Sequence, residues 1–393
     1  MQHEPAENVP LADVYVCGVM EPDDPAAPLP KLRWSLLADQ SPAAAVGMPV
    51  MGGAGDYHTI CGPVLARTTS DTLLIFAEGR HDSRDDFGNI DVILRRSNDW
   101  GATWSDIQVV HRNGDGQVGN TCPIVDYDTA RIHLLTCTGV QDEMEILTGS
   151  TYREVWHSFS DDDGATWSGR RNISAMARRA GWYWYATGPA AGIQVRSGRY
   201  RGRLVAPANH SYLLPGGGYE YACHALYSDD GGDTWRIGSA SEPGGNENQV
   251  AEAGENLLIQ DIRLQTNRTG CRAYRYSRDG GATWDAMQSD PRRPCTRCQG
   301  SIISLDQRPN GTHNILVASN PAPVGRRLDL GRREHLVARV STDGGRTWPR
   351  RLVVEPSYAG YSTLIEIDRE RVGIAYDRHP RLSYRTFYLE DCT

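Results

Sequence analysis

Lysine is almost missing from this 393-residue chain: Lys31 is the single lysine among 41 basic residues. A guanidinium never deprotonates in a protein and presents a planar fork of donors, so the arginines suit anion recognition, although a genome-wide compositional bias gives the same count. The net charge of −8 excludes a basic face for phosphate backbones, and no nucleic-acid partner is expected. No window approaches the roughly eighteen consecutive apolar residues of a membrane span, so no membrane partner is expected either. The opening "MQHEPAENVP" lacks the basic-then-apolar layout of a secretory signal, which reads as a cytoplasmic protein, or one exported with a signal peptide not present in this chain. Neither a glycine-rich phosphate loop nor a cluster of metal-ligand spacing occurs, so no cofactor and no metal are expected. The nine cysteines are odd in number and have no framework spacing, which excludes a disulfide scaffold. Cys295 and Cys298 form a lone C-x-x-C without a second pair and read as core residues; Cys122 and Cys137 flank a hairpin turn as cross-strand neighbours. No apolar pattern of helical period runs past about ten residues.

What the chain does have is one eight-residue stretch written five times. "SNDWGATW", "SDDDGATW", "SDDGGDTW", "SRDGGATW" and "STDGGRTW" begin at Ser97, Ser160, Ser228, Ser277 and Ser341, with spacings of 63, 68, 49 and 64 residues. Spacing of that order means one supersecondary unit per repeat. Each box lies between short apolar runs, such as "IDVILRR" and "HLVARV", and is predicted to fill a hairpin turn. Its Asp accepts hydrogen bonds from turn amides, its Gly takes positive φ, and its Trp packs beneath the neighbouring strands. Further short strands are predicted at "RLVAPA", "YACHALY", "NLLIQDI", "GSIISL", "NILVA" and "RVGIAY". The expected fold is all-β: a six-bladed β-propeller with five Asp-box hairpins, one blade having no box. Residues 1–45 are expected to form an N-terminal extension and 46–393 the propeller.

Asp-box propellers serve unrelated functions, so the boxes alone leave function open. Residues 73–104, "LLIFAEGRHDSRDDFGNIDVILRRSNDWGATW", closely resemble the first blade of exo-α-sialidases (neuraminidases) of the bacterial type. "GWYWYATGPAAGIQVRSG", "NENQVAEAGENLLIQDIR", "CQGSIISL" and "GYSTLIEI" extend the resemblance over residues 57–388. It implies an exo-acting, retaining glycoside hydrolase that removes terminal sialic acid, or a related 2-keto-3-deoxy sugar acid, from sialylated or ulosonic-acid-containing glycans. Sialic acids carry a carboxylate on the anomeric carbon, which repels a carboxylate nucleophile, whereas a neutral phenol whose proton is drawn off by a neighbouring acid avoids that repulsion. The resemblance places Tyr361 of "GYSTL" as that nucleophile and Glu247 of "NENQV" as its paired base. It places Asp86 of "DDFGNIDVILRR" as the acid that protonates the leaving oxygen, with Asp85 and Asp82 as neighbouring alternatives. Arg263 of "IQDIR" and Arg333 of "GRREHLVARVS" match the second and third members of a carboxylate-binding arginine triad, with Arg332, Arg326 and Arg327 close to the latter. Arg80 of "AEGR" matches an arginine on the sugar-hydroxyl side.

The first triad arginine has no counterpart, because no Lys or Arg stands between Arg33 and Arg67. Ungapped alignment puts Cys61 on its position and Pro63 on the proline of the family's Tyr-Arg-Ile-Pro stretch; a three-residue insertion puts His58 there instead. Losing one partner of a desolvated charge pair costs about 2–5 kcal/mol, or about 30-fold to several thousand-fold in carboxylate binding. His58 when protonated, or Arg33, are the expected substitutes. Asp377 of "IAYD" matches the acid that pairs with the first arginine, and is expected either to raise its own pKa or to recruit another cation. Three readings follow: a hydrolase with a rebuilt acid pocket, a glycan-binding pseudoenzyme, and a scaffold for protein partners.

Overall fold

In the computed structural model, which describes residues 57–139, 143–266, 269–305, 315–322, 331–378 and 381–392, all five boxes close the same hydrogen-bonded loop. In the first, the Ser97 hydroxyl donates to Asp99 Oδ1 (2.8 Å) and accepts from the Gly101 amide (2.8 Å). The Asp99 carboxylate in turn accepts from the amide and the hydroxyl of Thr103 (2.8 and 2.6 Å). The same bonds recur around Asp162, Asp230, Asp279 and Asp343. The fifth residue of the box takes a left-handed φ in every copy, at Gly101, Gly164, Gly232, Gly281 and Gly345, which is why only glycine stands there. Burial opposes it in most copies, yet hydrogen bonds from the box threonines hold Asp99, Asp230, Asp279 and Asp343 below the usual carboxylate range. In the second box the Thr166 hydroxyl is the main cause and brings Asp162 to about 2.

Every box joins the last two strands of an antiparallel meander, as predicted. The described residues form five hydrogen-bonded sheets. The first comprises Thr59–Arg67, Leu73–Arg80, Ile90–Ser97 and Gln108–His111, continuing into Gln117–Val125, Ile132–Gly139, Glu154–Ser160 and Arg171–Asn172. The second is built around Leu204–Leu213 and Tyr219–Ser228, the third around Gly245–Gly254 and Leu257–Leu264. Ser301–Ser304 and Glu334–Ser341 belong to the fourth, and Ser362–Glu366, Arg371–Arg378 and Arg381–Tyr388 make the fifth. The fold is an all-β propeller. Six separate sheets were expected; instead the first eight strands form one sheet, because a single parallel pairing, Ile90 with Gln117, links two four-stranded meanders.

Inner strands such as Leu73–Arg80 are buried along almost their whole length, since each sheet is covered on both faces by its neighbours; they read as continuous apolar runs rather than alternating ones. Val205 and Ala225 pack on Val250 and Leu258 of the next sheet, and Val317 and Leu336 on Leu364 and Ile374. Ile60, Leu65 and Leu73 meet Ala375, Leu382 and Tyr384 of the last sheet, which closes the ring. The box tryptophans reach backwards into the preceding meander: Trp104 meets Tyr384 edge-on at 5.6 Å, Trp167 meets Phe76 at 5.7 Å and Trp235 meets His157 at 6.0 Å.

All described cysteines are free and buried, Cys295 and Cys298 included. Cys122 and Cys137 lie on paired strands but are not directly opposed. Cys122 faces Leu135 and Cys137 faces Gly119, because a bulge between Gly119 and Cys122 shifts the register. The N-terminal extension, with Lys31 and Arg33, lies outside the described residues, as do Arg326 and Arg327.

Removing a box tryptophan should therefore cost far more than removing a box aspartate. Trp235→Ala should destabilise by about 3–5 kcal/mol and Asp230→Ala by about 1–2 kcal/mol, as read by urea denaturation. Equal losses would contradict the packing role.

Candidate active site

Four of the side chains singled out by sequence, Tyr361, Glu247, Arg263 and Arg333, come together, Glu247 and Arg263 on neighbouring strands of one sheet and Tyr361 at the start of a strand of another. Glu247 sits in a β-bulge, where the register jumps between Gly245 and Asn248 opposite the strand bearing Arg263. A bulge re-aims a side chain, and here both partners turn toward Tyr361. The Tyr361 hydroxyl donates to Glu247 Oε1, and Arg263 Nη1 donates to Glu247 Oε2. Arg263 Nη1 also lies 3.2 Å from the Tyr361 hydroxyl, and the Arg333 guanidinium stands 5.1 Å from the centre of the Tyr361 ring. Burial and then the Glu247 carboxylate push the Tyr361 phenol well above its ordinary value, with Arg263 and Arg333 opposing. Burial disfavours the charge on Arg263, but Glu247, Tyr361 and Cys298 together hold that guanidinium above its usual value.

The backbone fixes this arrangement. Tyr361 precedes the strand Ser362–Glu366 and is clamped by Asp377: the Asp377 amide donates to the Tyr361 carbonyl (2.8 Å), and the Tyr361 amide donates to Asp377 Oδ2 (3.3 Å). The next residue, Ser362, donates its amide to Gln299 Oε1 (3.0 Å), while Gln299 Nε2 donates to the Pro189 carbonyl across the axis (3.2 Å). The nucleophile candidate is thus held within its own sheet by Asp377, and the strand after it is tied through Gln299 to the segment at Pro189.

Asp86 lies apart from this cluster, on the loop after Leu73–Arg80. Its side chain is 65% exposed and pairs with Arg80 Nη2 at 2.6 Å, and the same nitrogen meets Glu78 Oε2 at 2.7 Å. The carbonyl of Asp86 accepts from Gln117 Nε2 (2.6 Å), which anchors the loop to the second meander. Asp85, one of the alternatives, bonds only to Ser83 among the described residues. Arg332 pairs with Glu334 at 2.7 Å on the exposed surface, so Arg333 is the member of that pair set against Tyr361.

On the remaining side of the cluster the structure brings together Cys61 and Asp377. The Cys61 thiol is buried, and burial keeps it well above its ordinary pKa although Arg80 opposes. Asp377 Oδ1 accepts from the Gly62 amide (3.0 Å). Among the described residues no Lys, Arg or His forms an ion pair with Asp377. Burial pushes its carboxyl up to about 6, with Arg333 and the two backbone amides pulling the other way. His58 is not brought to it: its Nδ1 is 2.9 Å from the hydroxyl of Thr59.

Sequence reading missed Glu78, Asn120 and Arg153. Glu78 Oε1 accepts from the Asn120 amide (3.0 Å) while its other oxygen holds Arg80. Arg153 Nη1 donates to Asn120 Oδ1 (2.5 Å), and its guanidinium lies 4.0 Å from the centre of the Trp184 ring. Glu78 stands in the quoted "AEGR" and was legible there; Asn120 and Arg153 carry no local signal.

Known proteins resemble this chain over most of its length. Residues 57–374 match a family model described as a BNR repeat-like domain. The chain is 30% identical over 354 residues to a sialidase of Bacteroides fragilis, covering 84% of this chain and 62% of that protein. It is 29% identical over 393 residues to a sialidase of Micromonospora viridifaciens, covering 92% and 58%. The chain therefore spans about three fifths of the length of these curated relatives. Among solved structures, the Hadza microbial sialidase Hz136 aligns with a TM-score of 0.75 at 27% identity, over 86% of this chain and 67% of that one.

If Glu247 is the partner that keeps Arg263 satisfied, its loss should strand a buried cation. Glu247→Ala should cost about 3–5 kcal/mol in guanidinium denaturation, and Tyr361→Phe, which leaves that ion pair whole, about 1 kcal/mol. Similar losses in both would contradict the geometry.

Proposed function

The chain belongs to the BNR repeat-like family of sialidases, and on that premise we propose that it is an exo-acting, retaining glycosidase for a terminal sialic acid or a related 2-keto-3-deoxy sugar acid on a glycan. The observation that carries the reading is the hydrogen bond from the Tyr361 phenol to Glu247, two residues 114 positions apart, beside Arg263. A phenol at neutral pH is a poor nucleophile, and burial makes this one poorer still. A carboxylate already accepting its proton removes that obstacle as the phenolic oxygen attacks. Glu247 is then the general base, and Arg263 holds its other oxygen.

Arg263 and Arg333 hold the sugar carboxylate next to the anomeric carbon, Arg333 from above the tyrosine ring. Asp86 delivers the proton to the departing oxygen. Its exposed loop position and its ion pair with Arg80 fit a group that gives up a partner when the substrate arrives. Arg80, held by Glu78, then faces the sugar hydroxyls. Displacement by Tyr361 and a second displacement by water together retain the anomeric configuration. We read the ring as six blades, taking as separate blades the two meanders whose strand ladders pair only at Ile90 and Gln117 among the described residues.

A second reading, glycan binding without turnover, is favoured by Asp377, which has no cation among the described residues to stand for a third arginine. Turnover separates the two. Proton NMR of a sialoside digest should show the α-anomer of the free sugar first. Tyr361→Phe should lower kcat by at least about a hundredfold. Asp86→Asn should lower kcat for alkyl sialosides by about 10²–10⁴-fold and for aryl sialosides, whose leaving groups need no proton, far less. No product from any sialoside or ulosonic-acid glycoside, with Tyr361→Phe binding as tightly as wild type, would favour the binding reading.

A further inference from the structure

We propose that Asp377 binds the acid group of the substrate as a neutral carboxyl, donating a hydrogen bond to the sugar carboxylate as the third donor beside Arg263 and Arg333. The inference rests on the hydrolase reading in one respect, that the acid group lies between those two arginines. Asp377 is 3% exposed. Each of its oxygens accepts one backbone amide, from Gly62 and from Tyr361, and the protonated carboxyl keeps its O–H to donate beyond those two bonds. Its main chain is paired with that of Tyr361, so the carboxyl holds a fixed position relative to the attacking phenol. The neighbouring backbone leaves room: Gly62 adopts a φ of +66°, and nothing lies within 4 Å of where its Cβ would stand.

Four titratable or charged groups face this carboxyl from the elements packed on it: Arg333, Arg80, the Tyr358 hydroxyl and the Cys61 thiol. Both cations lie beyond ion-pair distance, and burial has raised the Tyr358 hydroxyl to about 12 and the Cys61 thiol well above its usual value, so both stay neutral at physiological pH. An arriving carboxylate therefore meets either a like charge on Asp377 or a donor on it, and the proton decides which.

The sign of the linkage follows. Burial has raised this carboxyl to about 6, so the free site is mostly protonated below that pH and mostly ionised at pH 7. A bound anion raises it further, so binding at pH 7 takes up a proton, while binding at pH 5 takes up none. Affinity should be flat below about pH 6 and fall by up to about tenfold per pH unit above it.

The test is titration calorimetry of the wild-type protein with the 2,3-didehydro derivative of N-acetylneuraminic acid, in buffers of different ionisation enthalpy. Uptake of about 0.9 proton at pH 7, with the expected fall in affinity up to pH 8, supports the proposal. Asp377→Asn, a permanently neutral donor that gives up one of the two backbone amide bonds, should bind more weakly than wild type at pH 5.5 but with little pH dependence. Cys61→Arg, which gives Asp377 a cation, should also remove the slope. Binding without proton uptake, or a wild-type slope kept by Asp377→Asn, overturns the proposal and leaves the hydrolase reading standing. No binding at any pH from 5 to 8 removes the premise and both readings with it. The wild-type proton count decides the matter even if a variant does not fold.

Discussion

A buried carboxylate shared between a phenol and a guanidinium is the interaction on which the site depends. Glu247 reaches Tyr361 with one oxygen and Arg263 with the other. Both neighbours need it. Without it Arg263 is a desolvated cation with no counter-charge, and Tyr361 is a phenol whose burial opposes ionisation. In the proposed reaction the contact that balances charge in the resting protein is also the one that takes the phenolic proton during attack, so structural and chemical roles fall on one side chain.

The fold exists in large part to hold that contact still. Glu247 and Arg263 lie on adjacent strands of one sheet, whereas Tyr361 begins a strand of another. Their alignment requires the sheets to keep fixed angles around the axis. The box tryptophans wedge each meander against the one before it, and the box aspartates tie the turns that carry them. Gln299 spans the centre, bonded at once to Ser362 and to Pro189. Asp86, by contrast with Tyr361 and Glu247, stands on a loop with its side chain exposed to solvent.

Legibility in the sequence followed the distance over which each interaction acts. The boxes could be read outright, because their hydrogen bonds join residues two and four positions apart. The propeller followed from their spacing. Tyr361 and Glu247 had no such local mark; only the resemblance linked them, and the structure brings them into contact. The lone state of Asp377 was foreshadowed by the absence of any Lys or Arg between Arg33 and Arg67, yet His58, one candidate to serve it, turned out to be hydrogen-bonded to its own neighbour. Glu78, Asn120 and Arg153 escaped notice because they meet through the packing of separate strands. The merging of the first two meanders hinges on one residue pair, which no periodicity announces.

The direct measurement is chemical trapping. A 3-fluorinated sialosyl fluoride, whose electron-withdrawing fluorine slows the second displacement, should inactivate the protein and leave one sugar on it. Peptide mass mapping should place that sugar on Tyr361. Attachment to Glu247, Asp86 or any other side chain, or processing of the probe with inversion and no covalent adduct, would contradict the account.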